Sequence, residues 1–136
     1  MAQPIKNILP WILRGLAALI LLQTLFYKFS AAEESVYIFS TLGMEPWGRI
    51  GTGVAELIAS VLLLIPATTA VGAVMGIGLM GGAIFFHATR LGISVRGDGG
   101  QLFLYALLVF ISCAGLLVLY RGQLIQIFNK NKTTLL

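Results

Sequence analysis

Apolar residues dominate this chain in four long runs, separated by shorter segments that carry most of its charges. The runs cover residues 8–29, 47–65, 69–88 and 101–120. A helix needs roughly 20 apolar residues to cross the hydrocarbon of a bilayer, and each run has about that length. The pattern predicts an all-α protein, a transmembrane four-helix bundle in which residues 1–136 form a single integral membrane domain.

The segment between the first two runs predicts a further short helix. Glu33 and Glu34 lead it, and Gly43 stands where a helix commonly stops. Tyr37 and Phe39 would place aromatic rings at the membrane boundary, which amphipathic rings prefer. We expect a short interfacial helix between helices 1 and 2, with a lid over a cavity as the rival interpretation.

Composition supports a membrane protein and argues against other classes. Of the 136 residues, 58% are hydrophobic and 10% are charged, whereas about a quarter of the residues in a soluble domain are charged. The basic residues are dispersed rather than gathered in a stripe, so we expect a lipid bilayer and no nucleic acid as partner. The single Cys113 excludes an intrachain disulfide, and a single histidine argues against a metal site, whether zinc or haem.

The basic residues also predict an orientation. Four spans put both termini on one side, which holds five of the nine basic residues: Lys6, Arg14, Arg121, Lys130 and Lys132. The other side holds Lys28, Arg49, Arg90 and Arg96. Because the side richer in lysine and arginine is usually the inner one, we expect cytoplasmic termini.

Glu56 is the main candidate for a functional residue. It falls near the middle of the second run, and an acid in the hydrocarbon is costly enough to mark a functional site until a structural partner is found. Helical periodicity places it with Thr52, Gly53 and Ser60 on a face of small and polar residues. Because small residues let helices approach closely, we predict that Glu56 is enclosed by protein.

Four further residues complete the candidate ligand-binding set with Glu56: Gln23, Lys28, His87 and Tyr105. At about 1.5 Å rise per residue, Glu56 and Gln23 lie near mid-membrane, whereas the other three lie toward the outer surface. Glu56 and His87 then differ in height by roughly 12 Å. That separation is too large for a direct hydrogen bond unless a helix is displaced, but a ligand or a water chain could span it.

Each candidate also has a structural interpretation. A protonated Glu56 bonded to Gln23, Ser60 or Thr52 would simply join helices, and the sequence leaves this open against a ligand or proton role. For His87, capping of its helix end is favoured over a role as metal or quinone ligand.

The basic residues at the ends of the runs have a structural interpretation too. Lys28, Arg49 and Arg90 are expected to anchor the protein at the interface. Arg14 lies about one turn inside the membrane. We expect its guanidinium to extend back to the lipid headgroups rather than to form an internal ion pair.

The third run contains a literal GxGxxG pattern at residues 76–81. A dinucleotide site needs a strand before this pattern, whereas here it is embedded in an unbroken apolar run, so we reject that function. Gly72 with Gly76, and Gly78 with Gly82, form two GxxxG pairs instead. They predict close helix crossings.

Several short segments, in their order along the chain, resemble the pattern of the DoxX and DoxD-like family of small bacterial four-helix membrane proteins. The resemblance covers roughly residues 9–120 and rests on Arg14, an aromatic helix end with Lys28, the segment 42–46 (Leu-Gly-Met-Glu-Pro), residues 51–56 and residues 83–87. It implies a multi-pass protein of the bacterial inner (plasma) membrane.

The resemblance also implies a functional setting. The family is linked to respiratory and sulfur redox complexes, including the membrane subunit of a thiosulfate:quinone oxidoreductase, which makes quinone the implied ligand. Leu25 stands where a glycine is common in the family, and the cysteine pairs of the redox relatives are absent from this sequence. Both departures argue against a thiol-based enzymatic role.

Three functions stay open, and the sequence does not decide whether the protein is an enzyme. The first is a redox-associated membrane subunit that binds a quinone or similar small apolar ligand, with Glu56 or His87 bonded to a carbonyl oxygen. The second is a non-catalytic assembly or scaffolding protein that docks helices of a membrane or redox partner. The third is a small-molecule or proton carrier, which would need a homo-oligomer because one chain has too few spans for inverted repeats.

Overall fold

A computed structural model describes residues 2–135 of the chain, and the side chains of residues 8–130. The regular structure of the described residues is entirely helical. The helices are α1 (Ala2–Phe29), α2 (Glu33–Thr41), α3 (Trp47–Leu64), α4 (Thr69–Phe86), α5 (Gln101–Leu119) and α6 (Arg121–Leu135). Four of them, α1, α3, α4 and α5, are long and apolar enough to cross a membrane. The predicted all-α class with four spans is confirmed.

The four spans form a ring in which each helix packs against two neighbours. α1 contacts α3 and α5, and α4 contacts the same two helices from the opposite side. A short turn, Pro66–Thr68, joins α3 to α4, and one π-helical turn, His87–Leu91, extends α4. We call the half of the bundle nearest α2 the α2 half, and the other, which ends at the α3–α4 turn, the turn half.

The predicted inward face of α3 agrees with the structure. Gly53, Glu56, Ala59, Ser60 and Leu63 are buried. On the opposite side of the helix, Ile50, Val54, Ile58 and Val61 are exposed. An exposed apolar stripe on a helix with a small and polar inner face is the arrangement expected of a helix that packs in lipid.

One of the two GxxxG pairs makes the predicted close crossings. A Cβ added to Gly72 would lie 2.7 Å from the backbone nitrogen of Leu63, and one added to Gly76 would lie 2.5 Å from Cys113 Sγ. Here α4 touches both α3 and α5. The same prediction is wrong for Gly78 and Gly82, because a Cβ there would meet nothing within 4 Å.

Two buried arginines join α1 and α3 at opposite ends of the pair. Arg14 of α1 donates through Nε to the carbonyl of Leu63 at 2.6 Å and through Nη2 to that of Leu64 at 2.5 Å. Arg49 of α3 donates through Nη1 to the carbonyl of Lys28 at 2.5 Å. The last carbonyls of a helix have no partner within it and carry partial negative charge. Each arginine therefore satisfies the C-terminal end of the other helix.

The expected positions of both arginines are wrong. Arg14 is 1% exposed and stays inside the protein because the end of α3 offers it acceptors at its own depth. Its guanidinium also covers the ring of Trp11, with its central carbon 3.9 Å from the ring centroid. Arg49 is 8% exposed, and its Nε donates to the Glu45 carboxylate at 2.9 Å. It is a buried connector rather than an anchor in the headgroups.

The C-terminal helix is attached to the turn half through Gln123. Its Oε1 accepts from the backbone nitrogen of Ala70 at 3.0 Å, and its Nε2 donates to the carbonyl of Pro66 at 2.6 Å. One side chain thus fixes the start of α6 against the α3–α4 turn.

Replacement of Arg14 by glutamine should destabilise the protein by about 3 kcal/mol, because one buried and one partly buried hydrogen bond from a charged donor are lost at a helix end. The measurement is thermal or denaturant unfolding in detergent. Arg90→Gln is the control because this side chain is exposed. Equal stability of the Arg14 variant and the control would contradict the structural role of Arg14.

Candidate functional site

A cavity of about 490 Å³ lies among the four spans in the α2 half. Its volume is within the range of small-molecule sites, roughly 300–1,000 Å³. The five candidate residues from the sequence, Gln23, Lys28, Glu56, His87 and Tyr105, all line this cavity. The fold therefore brings together in one space residues that lie between positions 23 and 105 of the chain.

Helix α2 covers the end of the cavity. Its residues Ser35, Ile38 and Phe39 belong to the lining, as does Leu42 directly after it. On its outer side, Glu33 lies 3.8 Å from Arg96 of the α4–α5 loop, and both side chains are well exposed. The short helix predicted between the first two spans exists, and it occupies the position that the lid interpretation requires.

Glu56 is enclosed by protein, with 2% of its surface exposed. Its Oε1 lies 3.0 Å from Lys28 Nζ, and its Oε2 accepts from Thr24 Oγ1 at 3.3 Å. Thr24 and Lys28 are four residues apart on α1 and so project from the same face. The carboxylate of α3 is thus held between an ammonium group and a hydroxyl group of the neighbouring helix.

The sequence had suggested that Lys28 anchors the protein at the membrane interface, but the structure places its side chain elsewhere. Its side chain is 15% exposed and extends into the bundle to reach Glu56. Ser60 was one of the partners expected for the Glu56 carboxyl group. Its Oγ donates to the backbone carbonyl of Glu56 instead. Thr24 was missed, although its i, i+4 spacing from Lys28 was a usable signal.

His87 closes the end of α4 and faces the cavity. Its Nδ1 lies 2.9 Å from the carbonyl of Gly92, and because a carbonyl only accepts, Nδ1 carries the hydrogen. The expected helix-end role is therefore present. The ring also packs edge-on against Phe103, with centroids 5.7 Å apart. Among the described residues, Nε2 has no hydrogen-bond partner, which leaves this nitrogen available to a ligand.

The loop beside His87 is shaped by Asp98. This carboxylate accepts from the backbone nitrogens of Val95 at 3.0 Å, Gly100 at 2.8 Å and Leu102 at 3.3 Å. Burial alone would raise the pKa of Asp98, but these three donors, together with the nearby His87, hold the pKa below its ordinary value. The loop is thereby fixed where α5 begins.

Tyr105 and Gln101 form a polar pair on α5. Gln101 Nε2 donates to the Tyr105 hydroxyl at 2.8 Å, so the phenolic hydrogen itself points elsewhere and can be donated to a ligand. Gln101 also lines the cavity and was missed in the sequence, where its spacing from Tyr105 is again i, i+4. Gln23 lines the cavity at an exposed position on α1.

The chemistry available to this site is hydrogen bonding and proton exchange. Cys113, the single thiol of the sequence, is buried in the turn half against Gly76 and is not part of the cavity lining. Among the side chains that are described, no three His, Cys, Asp or Glu residues group as metal ligands would. We therefore assign no metal-holding residues.

Four membrane-length helices around a cavity with a buried ion pair define a small multi-pass membrane protein. The chain belongs to the DoxX-like family, whose sequence profile matches residues 12–115. The matched range contains all five candidate residues. A comparison with curated proteins found no match, and a comparison with solved structures found none either.

Lys28→Met should destabilise the protein by about 3–5 kcal/mol, because it leaves a buried carboxylate without its partner. Glu56→Gln should cost less, since the glutamine oxygen can still accept from Lys28. The double variant should recover part of the Lys28→Met loss. A double-mutant cycle from unfolding in detergent measures this coupling, and strictly additive effects would show that the two side chains do not interact.

Proposed function

We propose that this protein is a redox-associated membrane subunit that binds a quinone, or a similar small apolar ring with carbonyl oxygens, in the cavity beneath α2. One observation carries the proposal. A largely apolar cavity of about 490 Å³ contains both a buried ammonium–carboxylate pair and a histidine with an unused ring nitrogen. Ligand sites combine apolar walls with a few polar groups of this kind.

The polar groups suit the two ends of a quinone ring. Lys28 Nζ carries hydrogens beyond the one directed at Glu56, and one of these can be donated to a carbonyl oxygen. In the neutral imidazole with its hydrogen on Nδ1, His87 Nε2 accepts, and so it suits a hydroxyl of the reduced ring. Reduction of the quinone to the hydroquinone takes up two electrons and two protons, and the electrons would come from a partner redox protein.

The alternatives are supported less well by the same geometry. A scaffolding protein does not need a polar-lined cavity. A carrier needs a path through the bundle, yet the turn half is filled by Leu63, Val109 and Leu116, each of which is 0% exposed. The cavity therefore ends within the α2 half and does not continue through the turn half, as a channel would.

Glu56→Gln should lower the affinity for decylubiquinone at least tenfold, because the uncharged amide no longer fixes the ammonium group of Lys28. Binding is measured by retention of the quinone in nanodiscs that contain the protein, relative to empty nanodiscs. Glu33→Gln is the matched control, since Glu33 is exposed and does not line the cavity. Unchanged affinity in a folded Glu56→Gln protein would remove this residue from the site.

We also propose a bacterial inner membrane location with both termini in the cytoplasm. Arg14 and Arg49 are both engaged with helix ends inside the protein. They come from opposite sides of the predicted topology, so the basic excess on the terminal side is unaffected. The positive-inside rule then supports cytoplasmic termini.

Impermeant maleimide applied to intact spheroplasts should label Ser40→Cys and spare Gln126→Cys. Both positions are exposed, one on α2 and one on α6. The native Cys113 is buried, so the parent protein controls for background labelling. The reverse labelling pattern would show that the termini face outward.

A further inference from the structure

Two glycines on α4 leave part of the cavity wall without side chains. Gly78 and Gly82 line the cavity, and a Cβ added to either would meet nothing within 4 Å. Their spacing of one helical turn makes the gap continuous along α4, over about 6 Å. We call this gap the Gly78–Gly82 groove.

The groove lies on the side of α4 that is turned away from α5. Gly76 packs on Cys113 of α5. At 3.6 residues per turn, Gly78 projects about 160° and Gly82 about 120° around the helix from Gly76. Gly78 is also exposed on the outside of the bundle. The groove therefore connects the cavity to the surface that a membrane helix presents to lipid.

Other exposed parts of the cavity lining are polar. They are formed by Gln23, Tyr27 and Gln101, whose amides and hydroxyl are poor neighbours for a hydrocarbon chain. At the end of the bundle, the cavity is covered by α2. Of the exposed lining residues in the described structure, Gly78 is the one that carries no polar side-chain group.

The cavity itself contains a polar group that points to a ligand. His87 is 5% exposed, lines the cavity, and keeps Nε2 without a hydrogen-bond partner among the described residues. Among the described residues, no buried side-chain nitrogen or oxygen lacks a hydrogen-bond partner, so the unpartnered Nε2 is an atom that is open to the cavity and accessible to a ligand. A ligand with a polar head in the cavity and an apolar extension in the groove would satisfy both features.

We infer that the Gly78–Gly82 groove receives the hydrocarbon tail of a membrane-dissolved ligand whose polar ring lies among Lys28, Glu56 and His87. The inference rests on the proposed function and specifies its ligand class, a tailed amphiphile that enters from the bilayer. A ring without a tail fills the cavity but leaves the groove empty, so the two parts of the molecule can be tested separately.

The test compares decylubiquinone with the same dimethoxy-methyl-benzoquinone ring lacking the tail, using retention in nanodiscs. Gly78→Leu should weaken binding of the tailed quinone at least tenfold and change binding of the tail-less ring less than twofold. Gly78→Ala should give a smaller loss, because a methyl group fills less of the groove. Both variants should fold, since open space surrounds this position and glycine is a poor helix former.

Gly15→Leu is the matched control. This glycine also lies in a helix with nothing within 4 Å of an added Cβ, but it does not line the cavity. Equal binding of the tailed quinone by Gly78→Leu and Gly15→Leu would overturn the tail assignment alone. Equal loss of both ligands in Gly78→Leu would also overturn it. If the parent protein bound neither ligand, the proposed function would fail, and the tail assignment with it.

Discussion

The ion pair between Lys28 and Glu56 is the constraint on which the rest of the structure depends. Removing two charges from water costs several kcal/mol per ion, and only close contact with additional hydrogen bonds offsets this. Here the contact is 3.0 Å, and Thr24 supplies a further bond. The pair therefore requires that α1 and α3 keep a fixed distance and register at this depth.

The two buried arginines provide that register. Arg14 fixes the end of α3 and Arg49 fixes the end of α1, so the antiparallel helices are joined on both sides of the ion pair. Arg49 donates to the backbone carbonyl of Lys28 itself. The residue that carries the ammonium group into the cavity is thus held by its main chain as well as by its side chain. The contacts that stabilise the helix ends therefore also position the residues of the site.

The sequence was sufficient for the parts of this arrangement that depend on helical periodicity. The four spans and the inward face of Glu56 follow from which residues share a side of a helix. Periodicity does not tell how far a long side chain reaches or which carbonyls on a neighbouring helix it meets. Arg14, Arg49 and Lys28 were therefore misplaced in the headgroups. The two GxxxG pairs look alike in sequence and differ only because α4 meets its neighbours at Gly72 and Gly76.

The open space around Gly78 and Gly82 also bears on why the cavity exists. Packing with no voids gains dispersion energy, and an apolar void forfeits those contacts. A Cβ added at either glycine would meet nothing within 4 Å, and alanine would favour the helix as well. The void is therefore not imposed by the fold, since the turn half of the same bundle is filled to the centre by Leu63 and Leu116. The α2 half thus keeps a space that the sequence could narrow at two glycines, which is in line with the ligand that we propose for it.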